Sequence, residues 1–308
     1  MDSILTAERT ATPADDAGLP NFFILGAPKC GTTSMAAWLS EHRQVFMPVA
    51  KEPHFFNTDD RQDVATLDAY KALFADATPG HRAIGEASVW YLSSSVAVTN
   101  ILRLCPDARF LVMLRNPVEM APALHTEMVI SGQENVRDFL TAWNLQHERR
   151  QGRCVPSLSR GPRRFVYADV CALGAQMQRL LRTVPRQRVL PILLDDVIAD
   201  PRREYTRTLR FLGVDEDGRT HFPIHNKART IRRPRLTRAL YLAIQIKDRA
   251  GIRLDAGVWQ KVADWNVVES PRTALPPDTA AMLRRHFTED IGLLGELLRR
   301  DLRGWLGP

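Results

Sequence analysis

The sequence predicts a three-layer α/β protein in which a parallel sheet is flanked by helices. Two observations favour this fold class. Short apolar runs of strand length alternate with amphipathic stretches of helical length along most of the chain, and strands separated by helices form parallel sheets covered on both faces. The first apolar run also ends in a glycine and leads directly into a helical pattern, which is typical of a buried parallel strand followed by a helix.

The predicted strands are apolar runs too short to form helices. Pro191 weakens the last of these predictions, because proline cannot donate a hydrogen bond to a neighbouring strand. In chain order the predicted strands are Asn21–Gly26, Ala83–Gly85, Arg109–Leu114 and Arg188–Leu194.

The predicted helices carry apolar residues at helical spacing. Pro117 suits a first helical turn, whereas Pro122 falls where that helix is already running and predicts a kink or a late start. Residues 214–235 are predicted to form a basic loop, and residues 236–270 are ambiguous. The predicted helices are Gly31–Leu39, Val96–Leu104, one from Pro117, Val136–Arg150, Val170–Thr183, Asp200–Leu212 and one or two within Leu283–Trp305.

Composition and charge limit the class of protein. Of 308 residues, 44% are hydrophobic and 25% are charged, which excludes global disorder. The net charge of +7 suits a phosphorylated or sulfated small ligand as well as a nucleic acid. Residues 1–20 are small and polar and predict a flexible leader, so we expect one domain over residues 21–308.

The sequence predicts a cytoplasmic protein. Its first residues lack the basic start and apolar run of a secretory signal, and no apolar stretch reaches the length of a membrane span. The cysteines lack the spacing of a zinc site or a disulfide framework, and we expect ordinary reduced thiols at Cys30, Cys105, Cys154 and Cys171.

The loop between the first strand and the first helix carries the strongest functional signal. Its sequence, from Gly26 to Ser34, is GAPKCGTTS. Free N–H groups at a helix N-terminus bind anions, and glycine lets the backbone approach a ligand closely. Lys29 adds a positive charge, and three residues add hydroxyl groups. This pattern predicts a phosphate-binding loop, but the lysine precedes the second glycine and therefore departs from the loop of ATP-binding proteins.

Several motifs in order resemble those of the sulfotransferases that use 3′-phosphoadenosine 5′-phosphosulfate (PAPS), particularly the bacterial and heparan-sulfate-type branch. The loop resembles the family's 5′-phosphosulfate loop, and the segment that starts at Leu114 resembles its 3′-phosphate motif. The resemblance spans residues 21–305. The other similar segments are Lys51–Phe56 (KEPHFF), Gly85–Tyr91 (GEASVWY), Leu193–Gly213, Asn226–Arg229 (NKAR) and Leu298–Trp305.

The resemblance implies a P-loop-like fold of the sulfotransferase type and transfer of a sulfuryl group from PAPS to a hydroxyl or amine of a small-molecule or carbohydrate acceptor. Adenosine 3′,5′-bisphosphate would be the product, and neither a metal nor a nucleic acid would be required. Arg115 follows a strand directly, where its guanidinium can bind a phosphate through two hydrogen bonds. The expected cofactor-binding residues are Lys29, Cys30, Gly31, Thr32, Thr33, Ser34, Arg115, Lys227 and Arg229.

The expected catalytic residues are Lys29, Glu52 and His54. Lys29 would neutralise charge on the sulfuryl and leaving groups. The resemblance assigns the general base to Glu52, while His54 is a rival because histidine titrates near neutral pH. A zinc site at His221 and His225 is not expected, since Pro223 between them opposes a helix.

Two alternative functions and one departure from the family pattern stay open. Asp195 and Asp196 follow an apolar strand and resemble the carboxylate of a magnesium-dependent kinase or hydrolase. A cluster of arginines from Arg229 to Arg238 suits a non-catalytic protein that binds anionic ligands. Ala123 stands where the family's 3′-phosphate motif has a serine, and the oligomeric state is not predicted.

Overall fold

The computed structural model describes residues 18–60, 62–157, 159, 161–225, 229–249, 266–269 and 275–307. Five strands form one sheet in the order β2-β3-β1-β4-β5, with every neighbouring pair parallel. The strands are β1 (Phe22–Ile24), β2 (Val45–Phe46), β3 (Ala83–Ala87), β4 (Arg109–Leu114) and β5 (Val189–Leu193).

Helices flank this sheet, so the predicted fold class is confirmed. Strand β1 is fully buried and β4 is buried from its second residue onward, as expected for strands covered on both faces. The helices are α1 (Thr32–Ser40), α2 (Leu67–Ala72), α3 (Ala97–Leu104), α4 (Pro117–Ile130), α5 (Phe139–Asn144), α6 (Gln146–Arg150), α7 (Tyr167–Val170), α8 (Leu173–Thr183), α9 (Leu194–Ala199), α10 (Pro201–Leu212), α11 (Pro234–Arg249) and α12 (Pro277–Leu298).

Short elements complete the described part of the chain. Strands β6 (Arg229–Ile231) and β7 (Val267–Glu269) form an antiparallel pair. Turns of 3-10 helix cover Pro162–Phe165, Arg186–Arg188 and Arg303–Leu306. No helix in the described ranges is long and apolar enough to cross a membrane.

The structure fixes the start of one predicted helix and corrects another prediction. Helix α4 begins at Pro117 and continues through Pro122 without a late start, so its backbone loses one hydrogen bond there but stays helical. The predicted helix Val136–Arg150 is two short helices, α5 and α6. The side chain of Asp138 caps α5 by accepting from the Thr141 N–H at 2.8 Å, and this cap fixes the start of α5.

The order of the strands creates a crevice at one edge of the sheet. The chain runs from β1 to β2 and β3 on one side and then crosses to β4 and β5 on the other. Ligands of open parallel sheets bind where the direction of winding changes, outside the carboxyl ends of the strands. Here that point lies at the carboxyl ends of β1, β3 and β4.

Candidate active site

The loop after β1 places free backbone N–H groups at the start of α1. Gly31 caps this helix in the left-handed conformation, with φ +87°. Gly26 also has a positive φ, and a Cβ atom there would lie 2.3 Å from the carbonyl oxygen of Val89. Both positions therefore require glycine. The loop keeps the backbone close to the crevice, as an anion-binding site at a helix N-terminus needs.

Hydroxyl residues at the start of α1 connect the loop to two other segments. Thr33 Oγ1 accepts a hydrogen bond from Lys51 Nζ at 2.6 Å. Ser34 Oγ accepts from the backbone N–H of His225 at 3.0 Å. Thr32 is buried at the same helix end. The segment after β2 and the chain near residue 225 are thereby held beside the loop.

Two cations of the crevice pair with glutamates of α4. Lys29 Nζ lies 2.9 Å from Glu127 Oε2. Arg115 Nη2 lies 2.6 Å from Glu119 Oε2, and its Nη1 donates to the carbonyl oxygen of Lys29 at 3.4 Å. The Arg115 side chain is buried, and its Nε has no hydrogen-bond partner among the described residues. The loop and the end of β4 therefore place two cationic side chains close together, and each of them is paired with a carboxylate.

Glu52 and His54 lie at the end of β3. The backbone N–H of Glu52 donates to the carbonyl oxygen of Ala87 at 3.1 Å. Glu52 Oε2 is 3.3 Å from His54 Nε2, and Asp63 Oδ2 is 3.9 Å from the same nitrogen. Glu52 keeps 33% of its side chain exposed against 2% for His54, so the carboxylate is the more accessible of the two.

The pKa of Glu52 is lowered from its ordinary value. Burial, the largest single influence, acts to raise this pKa. The hydrogen bond from His54 and the charges of Lys51, His54 and Arg164 together outweigh burial. Glu52 is consequently ionised at neutral pH and able to accept a proton.

Glu86 is buried in the core and is linked through Ser88 to the segment that carries Glu52 and His54. It is fully buried and accepts hydrogen bonds from Ser88 Oγ at 2.6 Å, Tyr70 OH at 2.8 Å and Tyr91 OH at 3.2 Å. Burial raises the pKa of Glu86 to about 7, although the three hydroxyl donors oppose that shift. Ser88 Oγ also accepts from the His54 N–H at 3.3 Å, which ties the two segments together.

The remaining predicted cofactor-binding residues are Cys30, Lys227 and Arg229. Burial raises the pKa of the Cys30 thiol to about 12, so Cys30 contributes to the loop as a neutral packed side chain near Met120. Lys227 lies outside the described residues, and Arg229 is described only as the first residue of β6.

The pair of glutamates on α4 and the contact from Lys51 were not predicted. A spacing of eight residues between Glu119 and Glu127, two helical turns, is the signal that places both on one face of α4.

Asp195 and Asp196, whose sequence resembled a magnesium site, contact Trp305 and Arg300 near the C-terminus. Asp195 Oδ2 accepts from the indole N–H of Trp305 at 2.7 Å, and Asp196 pairs with Arg300 through two contacts of 3.0 and 3.1 Å. Trp305 also accepts a hydrogen bond from Asn116 through its carbonyl oxygen. Among the described residues there is no cluster of three or more His, Cys, Asp or Glu side chains suited to a metal.

Known proteins resemble this chain in both sequence and structure. Residues 19–226 match the family model described as Sulfotransferase domain. The crystal structure of a sulfotransferase from Alicyclobacillus acidocaldarius is similar over 93% of this chain and 98% of that one, with 28% identity and a TM-score of 0.68.

Curated relatives match over shorter stretches. Heparan sulfate glucosamine 3-O-sulfotransferase 6 of Homo sapiens is 27% identical over 63% of this chain and 52% of that protein. The membrane-associated sulfotransferase kil1 of Dictyostelium discoideum is 29% identical over 33% of this chain and 21% of that protein. This chain thus spans about half or less of the length of these two relatives. The family model covers most of this chain, which therefore belongs to the sulfotransferase domain family.

Proposed function

We propose that this protein transfers a sulfuryl group from PAPS to a hydroxyl or amine of a small-molecule or carbohydrate acceptor. One observation carries the proposal. The loop that carries Lys29, Arg115 after β4 and the ionised Glu52 lie at the same edge of the sheet. Anion binding and proton acceptance are the two capacities that sulfuryl transfer requires of the protein.

The residues present fit a donor with two phosphate groups. The N-terminus of α1 and Lys29 suit the phosphosulfate end, because N–H groups and a lysine bind anionic oxygens. Arg115 suits the 3′-phosphate, since its buried guanidinium has an Nε that no described residue satisfies and can bind phosphate through two hydrogen bonds. Following the family resemblance, we assign Lys227 and Arg229 to the same nucleotide.

The chemistry divides between two sides of the crevice. When bound, PAPS supplies the sulfuryl group, and the S–O bond to its phosphate breaks with the electron pair leaving on adenosine 3′,5′-bisphosphate. Glu52 accepts the proton of the acceptor hydroxyl as the acceptor oxygen bonds to sulfur. Lys29 neutralises negative charge on the leaving side. His54 holds the Glu52 carboxylate in place through its Nε2.

Ligand-dependent thermal unfolding tests the donor site. We expect adenosine 3′,5′-bisphosphate without magnesium to raise the unfolding temperature by several degrees, since a ligand that binds only the folded state stabilises it. Stabilisation by Mg-ATP instead would favour a kinase or hydrolase.

Labelled PAPS with a panel of acceptors then tests transfer. Lys29→Ala should lower the rate about 10²–10³-fold, as removal of one electrostatic donor does in other enzymes. Lys71→Ala is the matched control, because Lys71 is an exposed lysine of α2 and is not among the candidate site residues. Equal rates for the two variants would remove Lys29 from the mechanism.

A further inference from the structure

Three cations of the crevice each face a glutamate in the described structure. The positive and negative charges of these pairs cancel in formal count, so an anionic donor competes with carboxylates of the protein itself for the same cations. The pairs are Lys29 Nζ with Glu127 Oε2 at 2.9 Å, Arg115 Nη2 with Glu119 Oε2 at 2.6 Å and Lys51 Nζ with Glu52 Oε1 at 3.7 Å.

Lys29 and Arg115 differ in how they can hold a second anion. The Arg115 guanidinium binds Glu119 through Nη2, while its Nε has no partner among the described residues. A phosphate can therefore bind at Nε with Glu119 still in contact. Lys29 carries a single compact ammonium group, and Glu127 lies against it. Phosphosulfate oxygens at Lys29 would lie beside that carboxylate, and like charges so close repel each other. The donor and Glu127 are thus alternatives at Lys29.

The Glu127 carboxylate can leave Lys29 at low cost. The side chains of Lys29 and Glu127 are 22% and 31% exposed, so water takes up the released carboxylate, and ion pairs open to solvent contribute little to stability. The backbone of Lys29 is fixed by comparison. Its φ is +64°, and its carbonyl oxygen accepts a hydrogen bond from Arg115 Nη1 at 3.4 Å. Exchange of one anion for the other therefore requires rotation of a glutamate side chain and no rearrangement of the loop.

We propose that Glu127 is an exchangeable counter-ion of Lys29: it pairs with the lysine in the free protein, and the 5′-phosphosulfate of the donor displaces it. This inference rests on the proposed sulfuryl transfer. One ion pair replaces another, and no covalent bond changes in the exchange. After transfer, Glu127 competes with the 5′-phosphate of the product for the same ammonium group. Glu127 therefore lowers the affinity for the nucleotide and favours release of adenosine 3′,5′-bisphosphate.

Glu127→Gln keeps the shape of the side chain and removes the competing charge. It should tighten binding of adenosine 3′,5′-bisphosphate and of adenosine 5′-monophosphate about fivefold, the change expected when a partly exposed ion pair no longer has to be broken. Affinity for adenosine 3′-monophosphate should stay the same, because this nucleotide has no phosphate for Lys29. Titration calorimetry of the full chain measures the three affinities.

Two further variants separate contact with Lys29 from a change of net charge. Glu216→Gln is the matched control, because Glu216 is an exposed glutamate whose Oε1 pairs with Arg210 at 2.8 Å and is not among the candidate site residues. It should leave all three affinities unchanged. Glu127→Asp keeps the negative charge but shortens the side chain, which withdraws the carboxylate from Lys29. It should tighten binding of the same two nucleotides by a smaller factor.

Three results would overturn the counter-ion proposal. Weaker nucleotide binding by Glu127→Gln would mean that Glu127 holds Lys29 in its binding position. A gain that is equal for both monophosphates, or absent from Glu127→Asp, would mean a general effect of charge. Unchanged affinities in Glu127→Gln would mean that the donor does not displace this carboxylate. Absence of adenosine 3′,5′-bisphosphate binding by the wild-type protein contradicts the proposed function itself, whereas normal binding with any of the three results contradicts only the role of Glu127.

Discussion

At the scale of single residues, Glu52 has the properties that a proton acceptor at neutral pH requires. Its carboxylate is one-third exposed, and although burial raises its pKa, the hydrogen bond from His54 and the nearby positive charges together bring the pKa below its ordinary value. His54 is enclosed, and its Nδ1 lacks a partner among the described residues. We therefore expect His54 to position the carboxylate and Glu52 to take the proton.

Glu52→Gln should lower the transfer rate about 10²–10⁴-fold without changing the affinity for adenosine 3′,5′-bisphosphate, because the amide keeps the shape but cannot accept a proton. The active form is the carboxylate. Wild-type activity should accordingly persist as pH falls, until the pH drops through the lowered pKa, below the ordinary 4.5. Rate–pH profiles and calorimetry check both points. An active Glu52→Gln protein together with an inactive His54→Ala protein would reassign the base to His54.

Ala123 is a second residue with a testable consequence. It lies four residues from Glu119 and from Glu127, so all three share the face of α4 that meets Arg115 and Lys29. Two nearby side chains that could donate to a 3′-phosphate in place of residue 123, those of His125 and Thr126, already have partners. His125 Nε2 is bonded to the carbonyl oxygen of Val136, and the hydroxyl of Thr126 to that of Pro122.

Ala123→Ser should tighten binding of adenosine 3′,5′-bisphosphate about tenfold, since a hydrogen bond to a charged group contributes about 1.5–3 kcal/mol and 1.4 kcal/mol is a factor of ten. Affinity for adenosine 5′-monophosphate, which lacks the 3′-phosphate, should stay the same. Calorimetry with both nucleotides measures the difference. An equal change for the two would mean that this face of α4 does not meet the 3′-phosphate.

At the scale of elements, β3 carries a buried acid that makes stability depend on pH. The pKa of Glu86 is about 7 in the folded protein against 4.5 as its ordinary value. A raised pKa means that the folded state holds the proton longer than the unfolded chain, so stability falls as pH rises from about 4.5 to about 7 and levels off above that range.

Glu86→Gln should remove this loss of stability with rising pH, which for the wild-type protein amounts to at most roughly 3 kcal/mol of the free energy of unfolding. Urea unfolding of both proteins between pH 4.5 and 8 gives the free energy of unfolding of each as a function of pH. The other titrating groups contribute alike to both, so their difference isolates Glu86. Parallel profiles would show that Glu86 is already ionised in the folded protein.

The elements that the sequence predicted best are those whose signal is local. Strands β1, β4 and β5 are apolar runs, and the phosphate-binding loop is one contiguous motif. Pro191 is tolerated because β5 is an edge strand. Strand β2 has only two residues and no pattern to recognise. The pairing of Lys29 with Glu127 joins residues 98 positions apart, and it depends on how α4 packs over the loop, which periodicity does not specify.

At the scale of the whole molecule, one buried ion pair connects several segments that follow α4. Arg149 and Glu134 are both fully buried and 2.8 Å apart. Arg149 also donates to the carbonyl oxygens of Cys154 and Phe165, and Tyr167 OH donates to Glu134 at 2.7 Å. The chain after α4, helix α6, the following loop and α7 are thereby joined at one point.

Arg149→Met should lower the free energy of unfolding by about 3–5 kcal/mol, because it leaves the Glu134 carboxylate buried without its cation. Adding Glu134→Leu should recover much of that loss, since replacing both charges by apolar groups removes the uncompensated charge. Arg150→Met is the control: Arg150 pairs with Asp169 at the surface, and exposed pairs contribute only about 0–1 kcal/mol. Urea unfolding of the single and double variants measures these energies. A double variant no more stable than Arg149→Met would show that the hydrogen bonds to Cys154, Phe165 and Tyr167, rather than charge pairing, hold these segments together.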